Sequence, residues 1–309
     1  MDMPAPYAPR RAHHSRFLEV RGLRYHLLSW GDASLATPER PSLLMVHGWM
    51  DVGASFQFVV DALREQRHVL AIDWRGFGLS DGSGADSYWF PDYLGDLDAV
   101  IDQIAPDGRP IDLLGHSMGG NVVMSYAGVR PQRIRRLINL EGFGLPETQP
   151  EMAPRRLADW LDDLKTPQQL KPYASLAGVA GRLMKTNPRL PPDKAAWLAP
   201  HWSREVVAPD GSRQWQILGD PAHKRANPVL YRKAEILACW QRIAAPVLWV
   251  EGSETDMTAW WGERFPRADF EARLAQVPDL ARAVLAGAGH MLHHDQPEAL
   301  AAQIERFLA

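Results

Sequence analysis

The stretch Ile111-Asp112-Leu113-Leu114-Gly115-His116-Ser117-Met118-Gly119-Gly120 decides the fold of this chain. A short apolar run ends in Gly-x-Ser-x-Gly at residues 115–119, and an apolar, helix-compatible segment follows at 121–129. This order predicts a strand, a sharp turn and a helix, which is the context that the motif requires. A β-carbon at either outer glycine would collide with a neighbouring strand or helix. We call residues 115–119 the elbow, and we predict that it holds the Ser117 hydroxyl clear of the sheet edge.

Length and composition limit the classes of protein. The chain has 309 residues, 46% of them hydrophobic, and can bury a sizeable core. A formal net charge of −3 gives no long-range attraction for nucleic acid or an anionic membrane. We therefore predict a small-molecule substrate, no nucleic-acid partner and no membrane insertion, while the oligomeric state stays open. The single cysteine, Cys239, excludes an internal disulfide and favours a reducing, cytoplasmic location.

The order of apolar segments predicts the architecture. Residues 1–15 are predicted to be a disordered leader. Phe17–Val20 and Leu23–Trp30 are strand-like runs joined at Arg21-Gly22, which indicates a hairpin. Strand-like and helix-like segments then alternate, with one interruption, and this predicts a mostly parallel sheet with helices on both faces. The core is assigned to residues 16–144 and 238–309.

The alternation stops between residues 145 and 237, a segment rich in proline and tryptophan. Segments this long inside a domain are usually functional. We predict a helical cap, or lid, over the carboxyl edge of the sheet. For any single tryptophan, packing in a small cap core is the better interpretation. As a set, Trp160, Trp197 and Trp202 favour an apolar wall of a substrate pocket, together with Trp49.

A serine needs a base within hydrogen-bond reach and a third group that orients the base. His290 is the best-placed histidine, because it lies C-terminal to the serine in the loop Ala286-Gly287-Ala288-Gly289-His290. His293, His294 and Asp295 are interpreted as surface residues, with Asp295 as a helix N-cap, rather than as a metal cluster. No metal and no cofactor are predicted. His116 is expected to pack beneath the elbow.

Two residues compete for the role of orienting acid. Asp256 lies in the polar loop Glu251-Gly252-Ser253-Glu254-Thr255-Asp256, where a carboxylate costs little. Glu141 ends the apolar strand 134–140. A carboxylate entering a buried edge costs several kcal/mol unless it is paired. A histidine or a structural salt bridge would meet that need, and we place Glu141 modestly ahead of Asp256.

Backbone N–H groups complete the predicted site. His47-Gly48-Trp49 ends a buried strand, and the N–H groups of Trp49 and Met118 are predicted to hold an oxyanion beside Ser117. Asp73 and Arg75, which follow the next strand, are expected to pin loops at the sheet edge.

With these motifs in place, the chain resembles the α/β-hydrolase superfamily from about Phe17 onward. The resemblance is carried by His47-Gly48-Trp49-Met50-Asp51, Asp73-Trp74-Arg75-Gly76-Phe77-Gly78-Leu79-Ser80, Gly115-His116-Ser117-Met118-Gly119-Gly120 and Gly287-Ala288-Gly289-His290. It implies an eight-stranded sheet with a cap inserted after strand six. In most of the family the acid follows strand seven, which points to Asp256. One subset of the family includes haloalkane dehalogenases and is similar to the serine hydrolase-like proteins. In that subset the acid follows strand six, which points to Glu141.

The nucleophile narrows the chemistry that this resemblance implies. Dehalogenases and soluble epoxide hydrolases of this type use aspartate at the elbow, so Ser117 favours acyl chemistry. Our first hypothesis is a cofactor-free hydrolase of small or medium apolar carboxylic esters. The alternative is a carbon–carbon bond hydrolase or a lactonase with the same residues. Polar and basic residues in the pocket would favour the carbon–carbon bond hydrolase. A ligand-binding protein that has lost turnover is the alternative of a different class.

Overall fold

The computed structural model describes residues 5–309 and places most of the strands in one sheet. Its strands are β1 (His14–Val20), β2 (Leu23–Trp30), β3 (Leu43–Val46), β4 (Val69–Ile72), β5 (Ile111–His116), β6 (Ile134–Leu140), β7 (Ser203–Val207), β8 (Arg213–Ile217), β9 (Val247–Gly252) and β10 (Leu280–Leu285). Its α-helices are α1 (Gln57–Ala62), α2 (Phe90–Ile104), α3 (Met118–Val129), α4 (Ala153–Lys165), α5 (Leu176–Thr186), α6 (Pro192–Trp202), α7 (Lys233–Trp240), α8 (Thr258–Trp261), α9 (Arg267–Leu274), α10 (Leu292–Asp295) and α11 (Pro297–Leu308).

The main sheet has eight strands in the order β1-β2-β4-β3-β5-β6-β9-β10. The pairs β1–β2 and β2–β4 are antiparallel, and the other pairs are parallel. Every residue of β3, β4 and β5 is buried, as expected for strands covered on both faces. The predicted α/β-hydrolase fold, with a mostly parallel eight-stranded sheet, is therefore confirmed. At the predicted hairpin, Arg21 and Gly22 both have positive φ, at 50° and 80°, as a tight two-residue turn requires.

Helices cover both faces of the sheet and bury two separate apolar clusters. Tyr93, Leu97 and Val100 of α2 pack with the apolar side of α3 on one face. On the other face, α1 and α11 pack with Met45 and Leu114. Ser117 and Glu141 directly follow β5 and β6, and Gly252 ends β9, so these residues stand at the carboxyl edge of the sheet. No helix formed by residues 5–309 is both long and apolar enough to cross a membrane.

The disordered leader predicted for residues 1–15 is wrong for residues 5–15; residues 1–4 lie outside the described part of the chain. β1 already begins at His14. The Tyr7 hydroxyl donates to Asp61 Oδ2 at 2.9 Å, and the backbone N–H of Arg11 donates to Asp61 Oδ1 at 2.7 Å. The Tyr7 ring packs edge-on against Phe58, with centroids 5.1 Å apart. A carboxylate distant in sequence thus anchors a segment whose composition resembles a flexible tail.

The segment 145–237, which we call the cap segment, lies between β6 and β9. It contains α4, α5, α6 and the start of α7. It also contains the two-stranded sheet β7–β8, so the prediction of a purely helical segment is corrected. Its own apolar cluster includes Val179, Leu183 and Leu198, and Phe58 of α1 joins that cluster from the core. The predicted boundary at residue 237 falls inside α7, whose last residue, Trp240, is buried in the core.

Candidate active site

Ser117 occupies the sharp turn between β5 and α3. Its backbone has φ 52° and ψ −114°, a sparsely populated conformation for a residue other than glycine. A β-carbon on Gly119 would lie 2.5 Å from the carbonyl oxygen of Val46, and one on Gly115 would lie 2.5 Å from the carbonyl carbon of Gly119. Both glycines are therefore required by close backbone packing, as the sequence predicts. The strained turn points the serine out of the sheet.

The structure brings Ser117, His290 and Glu141 into one hydrogen-bonded row. His290 Nδ1 lies 2.7 Å from Glu141 Oε2, and His290 Nε2 lies 2.9 Å from Ser117 Oγ. Because a carboxylate only accepts, Nδ1 carries the proton, and Nε2 presents its lone pair to the serine hydroxyl. The Ser117 hydroxyl therefore donates to His290. Such a row provides a nucleophile, a base and a group that orients the base.

Glu141 follows β6 and is only 1% exposed. Its Oε1 accepts from the backbone N–H of Gly252 at 2.7 Å, while Oε2 faces His290. Each carboxylate oxygen thus has a partner, which offsets the cost of burial. Its φ of 54° is positive, so the backbone turns sharply where the side chain enters the site.

Asp256, the competing acid, lies elsewhere. Its Oδ1 accepts from the backbone N–H of Thr258 at 2.8 Å and from the Thr258 hydroxyl at 2.5 Å. These hydrogen bonds, with that of the hydroxyl as the larger cause, lower the pKa of the Asp256 carboxyl. Asp256 holds the loop before α8, and the structure pairs His290 with Glu141 instead.

The two residues predicted to donate to an oxyanion lie in segments next to Ser117. Met118 is the first residue of α3, where backbone N–H groups have no partner within the helix. A β-carbon on Gly48 would lie 3.1 Å from Ser117 Cβ, so the chain before Trp49 passes directly beside the serine. His47, whose role was not predicted, fixes this passage: its Nε2 accepts from the Trp74 backbone N–H at 2.9 Å. Burial lowers the pKa of His47, which keeps Nε2 available as an acceptor.

A cavity of about 140 Å³ opens beside Trp49 and Met118. Polar and apolar side chains line it, from both the core and the cap segment: Trp49, Ser87, Tyr88, Tyr93, Met118, Ala222, His223, Arg225, Ala226 and Asn227. The Trp49 side chain is 52% exposed at this position. The cavity therefore lies next to the two residues predicted to donate to an oxyanion.

The four tryptophans predicted to bind substrate separate into two pairs. Trp49 lines the cavity, and Trp160 donates from Nε1 to the hydroxyl of Ser87, a lining residue, at 2.9 Å. Trp197 instead packs edge-on against Phe58 at 5.7 Å, and Trp202 packs in the same apolar cluster. The prediction of a pocket wall is therefore corrected for Trp197 and Trp202, which fill the packing between the cap segment and the core.

Trp260 is a site residue that the sequence did not reveal. Its ring stands edge-on to the His290 ring, with centroids 4.7 Å apart and planes at 71°. It also contacts the ring of Phe143, which follows Glu141 closely in the chain. α8 has only four residues, too few for a periodic pattern to mark it.

Residues around the elbow hold it in place. His116 packs beneath the elbow as expected, and its Nε2 donates to the His290 carbonyl oxygen at 2.8 Å. Burial holds the pKa of His116 well below its usual value. Asp73 accepts from the backbone N–H of Gly53 at 2.7 Å, and Arg75 pairs with Asp96, which agrees with the loop-pinning role expected of both.

The histidines after His290 differ from their predicted placement. His293 and His294 are buried, not on the surface. Asp295 ends α10, and its carboxylate accepts from the backbone N–H of Gly289 at 2.8 Å, so it holds the His290 loop and does not cap α11. The short α10 folds this polar run inward beneath the loop.

Comparisons with known proteins agree with the fold. A sequence model described as the alpha/beta hydrolase family matches residues 43–303. The chain belongs to the alpha/beta hydrolase family.

Individual relatives are distant. The chain is 24% identical to a serine hydrolase-like protein of Dictyostelium discoideum over 86% of this chain and 74% of the relative. It is 25% identical to an esterase of Escherichia coli over 86% of this chain and 92% of the esterase. Among solved structures, the thioesterase domain from the curacin biosynthetic pathway superposes with a TM-score of 0.77, at 27% identity, over 95% of this chain and 99% of the domain. These names support a hydrolase.

Proposed function

We propose that this protein is a serine hydrolase that cleaves small to medium apolar carboxylic esters through an acyl-enzyme. The observation that carries the proposal is the row from Glu141 through His290 to Ser117, with contacts of 2.7 and 2.9 Å. In this proposal Ser117 is the nucleophile, His290 the general base and Glu141 the orienting acid. The backbone N–H groups of Met118 and Trp49 hold the oxyanion.

The reaction follows from this geometry. Ser117 Oγ attacks the ester carbonyl carbon as His290 Nε2 takes the hydroxyl proton, and negative charge develops on the carbonyl oxygen. Collapse breaks the bond to the alcohol oxygen, which leaves with the proton from His290. Water then attacks the acyl carbon and gives a proton to His290. The bond from the acyl carbon to Ser117 Oγ breaks, and His290 returns the proton to Oγ, which releases the carboxylic acid and restores the serine. Each oxyanion donor is worth about 10²–10³ in turnover.

The cavity beside Trp49 and Met118 supports a small substrate in this proposal. A volume of about 140 Å³ is below that of drug-sized pockets, about 300–1,000 Å³, and accommodates one short arm of an ester. Trp49, Tyr93 and Met118 give that arm apolar contacts. These features favour a short acyl or alcohol group.

A panel of p-nitrophenyl esters of graded acyl length tests the proposal. We expect turnover that is highest for short chains and that is lost in Ser117→Ala, while the variant keeps its far-UV circular dichroism and melting temperature. Covalent labelling by a fluorophosphonate without turnover of any ester would contradict the ester assignment. Neither labelling nor turnover would favour a binding protein that has lost catalysis.

A second candidate is a carbon–carbon bond hydrolase acting on an acidic substrate, and Arg225 is the observation that favours it. This guanidinium lines the cavity beside Met118, and one of its groups donates to the carbonyl oxygen of Asp86. Its Nε is buried without a hydrogen-bond partner. A carboxylate on a substrate would pair with the part of the guanidinium that lines the cavity, since guanidinium and carboxylate match in geometry.

Arg225→Gln separates the two candidates. For an ester hydrolase of neutral substrates, kcat/KM for p-nitrophenyl butyrate stays within about threefold of the native value. If the natural substrate is an acid, the native chain should prefer the hemisuccinate ester. The kcat/KM of the variant for that ester should then fall by about 10–100-fold, because a charged hydrogen bond is worth this much. Arg225→Lys, which keeps the charge, is the matched control. Cleavage of a vinylogous diketone acid would then identify the carbon–carbon reaction.

A further inference from the structure

Asp51, His116 and His293 meet in a buried cluster behind the elbow. Asp51 lies in the turn after β3, His116 ends β5, and His293 lies on α10. One donor atom from each lies within 4.8 Å of the other two. The three residues are 3%, 2% and 0% exposed. The mechanism proposed above uses none of these side chains as an acid, base or nucleophile.

The polar atoms that face this cluster have no hydrogen-bond partner among the described residues. They are Asp51 Oδ2, His116 Nδ1 and both ring nitrogens of His293. By contrast, Asp51 Oδ1 accepts from the backbone N–H of Val52 at 2.8 Å and from the Ser55 hydroxyl. An unmade hydrogen bond on a buried polar group costs about 1–3 kcal/mol, and more on a carboxylate. The centre of the cluster therefore favours a group of positive charge.

The hydrogen bond on the far side of His116 decides which group fits. His116 Nε2 must donate, because its partner at 2.8 Å is the His290 carbonyl oxygen. Nδ1 therefore presents a lone pair to the cluster. A histidine that binds a metal ion nearly always donates its other N–H to a carbonyl or carboxylate in this way.

The donor set, and the distance between two of its members, match a small divalent ion. Asp51 Oδ2 lies 3.5 Å from His293 Nε2. Two ligands of a tetrahedral zinc ion, with bonds of about 2.0–2.1 Å, lie roughly 3.4 Å apart. Two imidazoles and one carboxylate form a ligand set that zinc and cobalt take readily. One donor atom of each of the three residues lies within 4.8 Å of the others, so the side chains have to approach by up to about 1.4 Å to reach this spacing throughout.

We propose that Asp51, His116 and His293 form a buried binding site for one divalent transition-metal ion of the Zn²⁺ class. The ion ties the turn after β3, the elbow and α10 together behind the His290 loop. Its role is structural, since all three side chains are buried and His116 Nε2 already holds the His290 backbone. The proposal does not depend on the proposed esterase activity, because binding is measured directly.

Cobalt titration of the full chain, stripped with a chelator, tests the site. We expect one Co²⁺ per chain, visible d–d absorption bands of a four- or five-coordinate ion, and a higher melting temperature with Zn²⁺ or Co²⁺. His293→Gln and Asp51→Asn should weaken binding at least about 100-fold, since a hydrogen-bond partner outside the ligand shell is alone worth about 10–100-fold. His14→Gln, at an exposed histidine, and Asp256→Asn are matched controls that should leave the affinity unchanged.

Crystals of the native chain test the metal site even if a variant fails to fold. An anomalous difference peak between the three side chains, in crystals of the native chain soaked in Co²⁺, supports the site. Absence of the bands and of this peak overturns it and leaves an Asp51–His293 ion pair as the content of the cluster. Binding that is lost in His14→Gln, or that persists in His293→Gln, overturns it as well, because the ion then sits on the surface.

Discussion

Glu141 holds His290 from the side opposite Ser117, with 2.7 Å between Oε2 and Nδ1. This contact joins two loops 149 residues apart in the chain. The second oxygen of Glu141 is fixed by the backbone of Gly252, at the end of the neighbouring strand β9. The carboxylate is thus held by the sheet, and it in turn fixes the tautomer of the histidine.

Glu141→Gln should therefore lower kcat for ester hydrolysis by about 10³–10⁴, because an amide no longer enforces the proton on Nδ1. The melting temperature should change little, since glutamine has the same shape. Asp256→Asn is the matched control and should keep kcat within about threefold. Steady-state kinetics with p-nitrophenyl butyrate measures both. Equal losses in the two variants would contradict the assignment of Glu141.

Trp260 should steady the ring of His290. Loss of an edge-on aromatic pair costs about 0.5–1.5 kcal/mol, so Trp260→Leu should lower kcat by up to about tenfold. Trp260→Phe keeps an aromatic edge and should restore most of the activity. The stability of both variants, followed by thermal melting, should match within a few degrees. If Phe and Leu behave alike, the contact has no part in positioning His290.

Gly119→Ala should disturb the elbow by direct collision. The new methyl group would lie 2.5 Å from the Val46 carbonyl oxygen and 2.6 Å from that of His47, and neither backbone atom can give way cheaply. We expect the free energy of unfolding in urea to fall by about 1–3 kcal/mol, the usual cost of overpacking. Gly181→Ala, in the exposed interior of α5 with no heavy atom within 4 Å of the new carbon, should raise it by up to about 1 kcal/mol. If the free energy of unfolding fell in both variants, the cause would be a general intolerance of alanine and not the collision at Gly119.

His223 should make stability depend on pH. It is stacked between Phe77 and Tyr88, with ring centroids 3.8 and 3.6 Å away, and burial lowers its pKa to about 4. The unfolded chain, with a pKa near 6.5, binds a proton more readily, so the free energy of unfolding falls as pH drops from 6.5 toward 4. This residue contributes at most about 3 kcal/mol to that fall.

His223→Gln, which retains a donor for the Arg75 carbonyl oxygen, isolates this effect. Urea unfolding at pH 7 and at pH 4.5 should show a smaller difference between the two pH values in the variant than in the native chain. A slope that is the same in both would mean that His223 takes up its proton equally in the folded and unfolded chain.

The sequence predicts the elbow and His290 well because their signals are local. Two glycines around a serine, between an apolar strand and a helix, leave few alternatives, and the glycine-rich loop before His290 marks a close backbone approach. The cost of burying a carboxylate at the end of an apolar strand favours Glu141 over Asp256. The structure pairs Glu141 with the histidine that this cost requires.

Other parts depend on contacts between distant segments, which no local pattern encodes. Asp61, on the remote helix α1, accepts hydrogen bonds from Tyr7 and Arg11 and so anchors the residues before β1. The cluster of Asp51, His116 and His293 forms only when three elements meet. Trp160 and Trp197 have similar local surroundings in the sequence, yet one borders the cavity and the other fills the packing beneath the cap segment.

The central claim is that Ser117 is the nucleophile, and mapping of a fluorophosphonate adduct by tandem mass spectrometry tests it most directly. We expect a single adduct, on the peptide that contains Ser117, and none on the folded Ser117→Ala variant. An adduct on another serine, or labelling that persists in Ser117→Ala, would contradict the account.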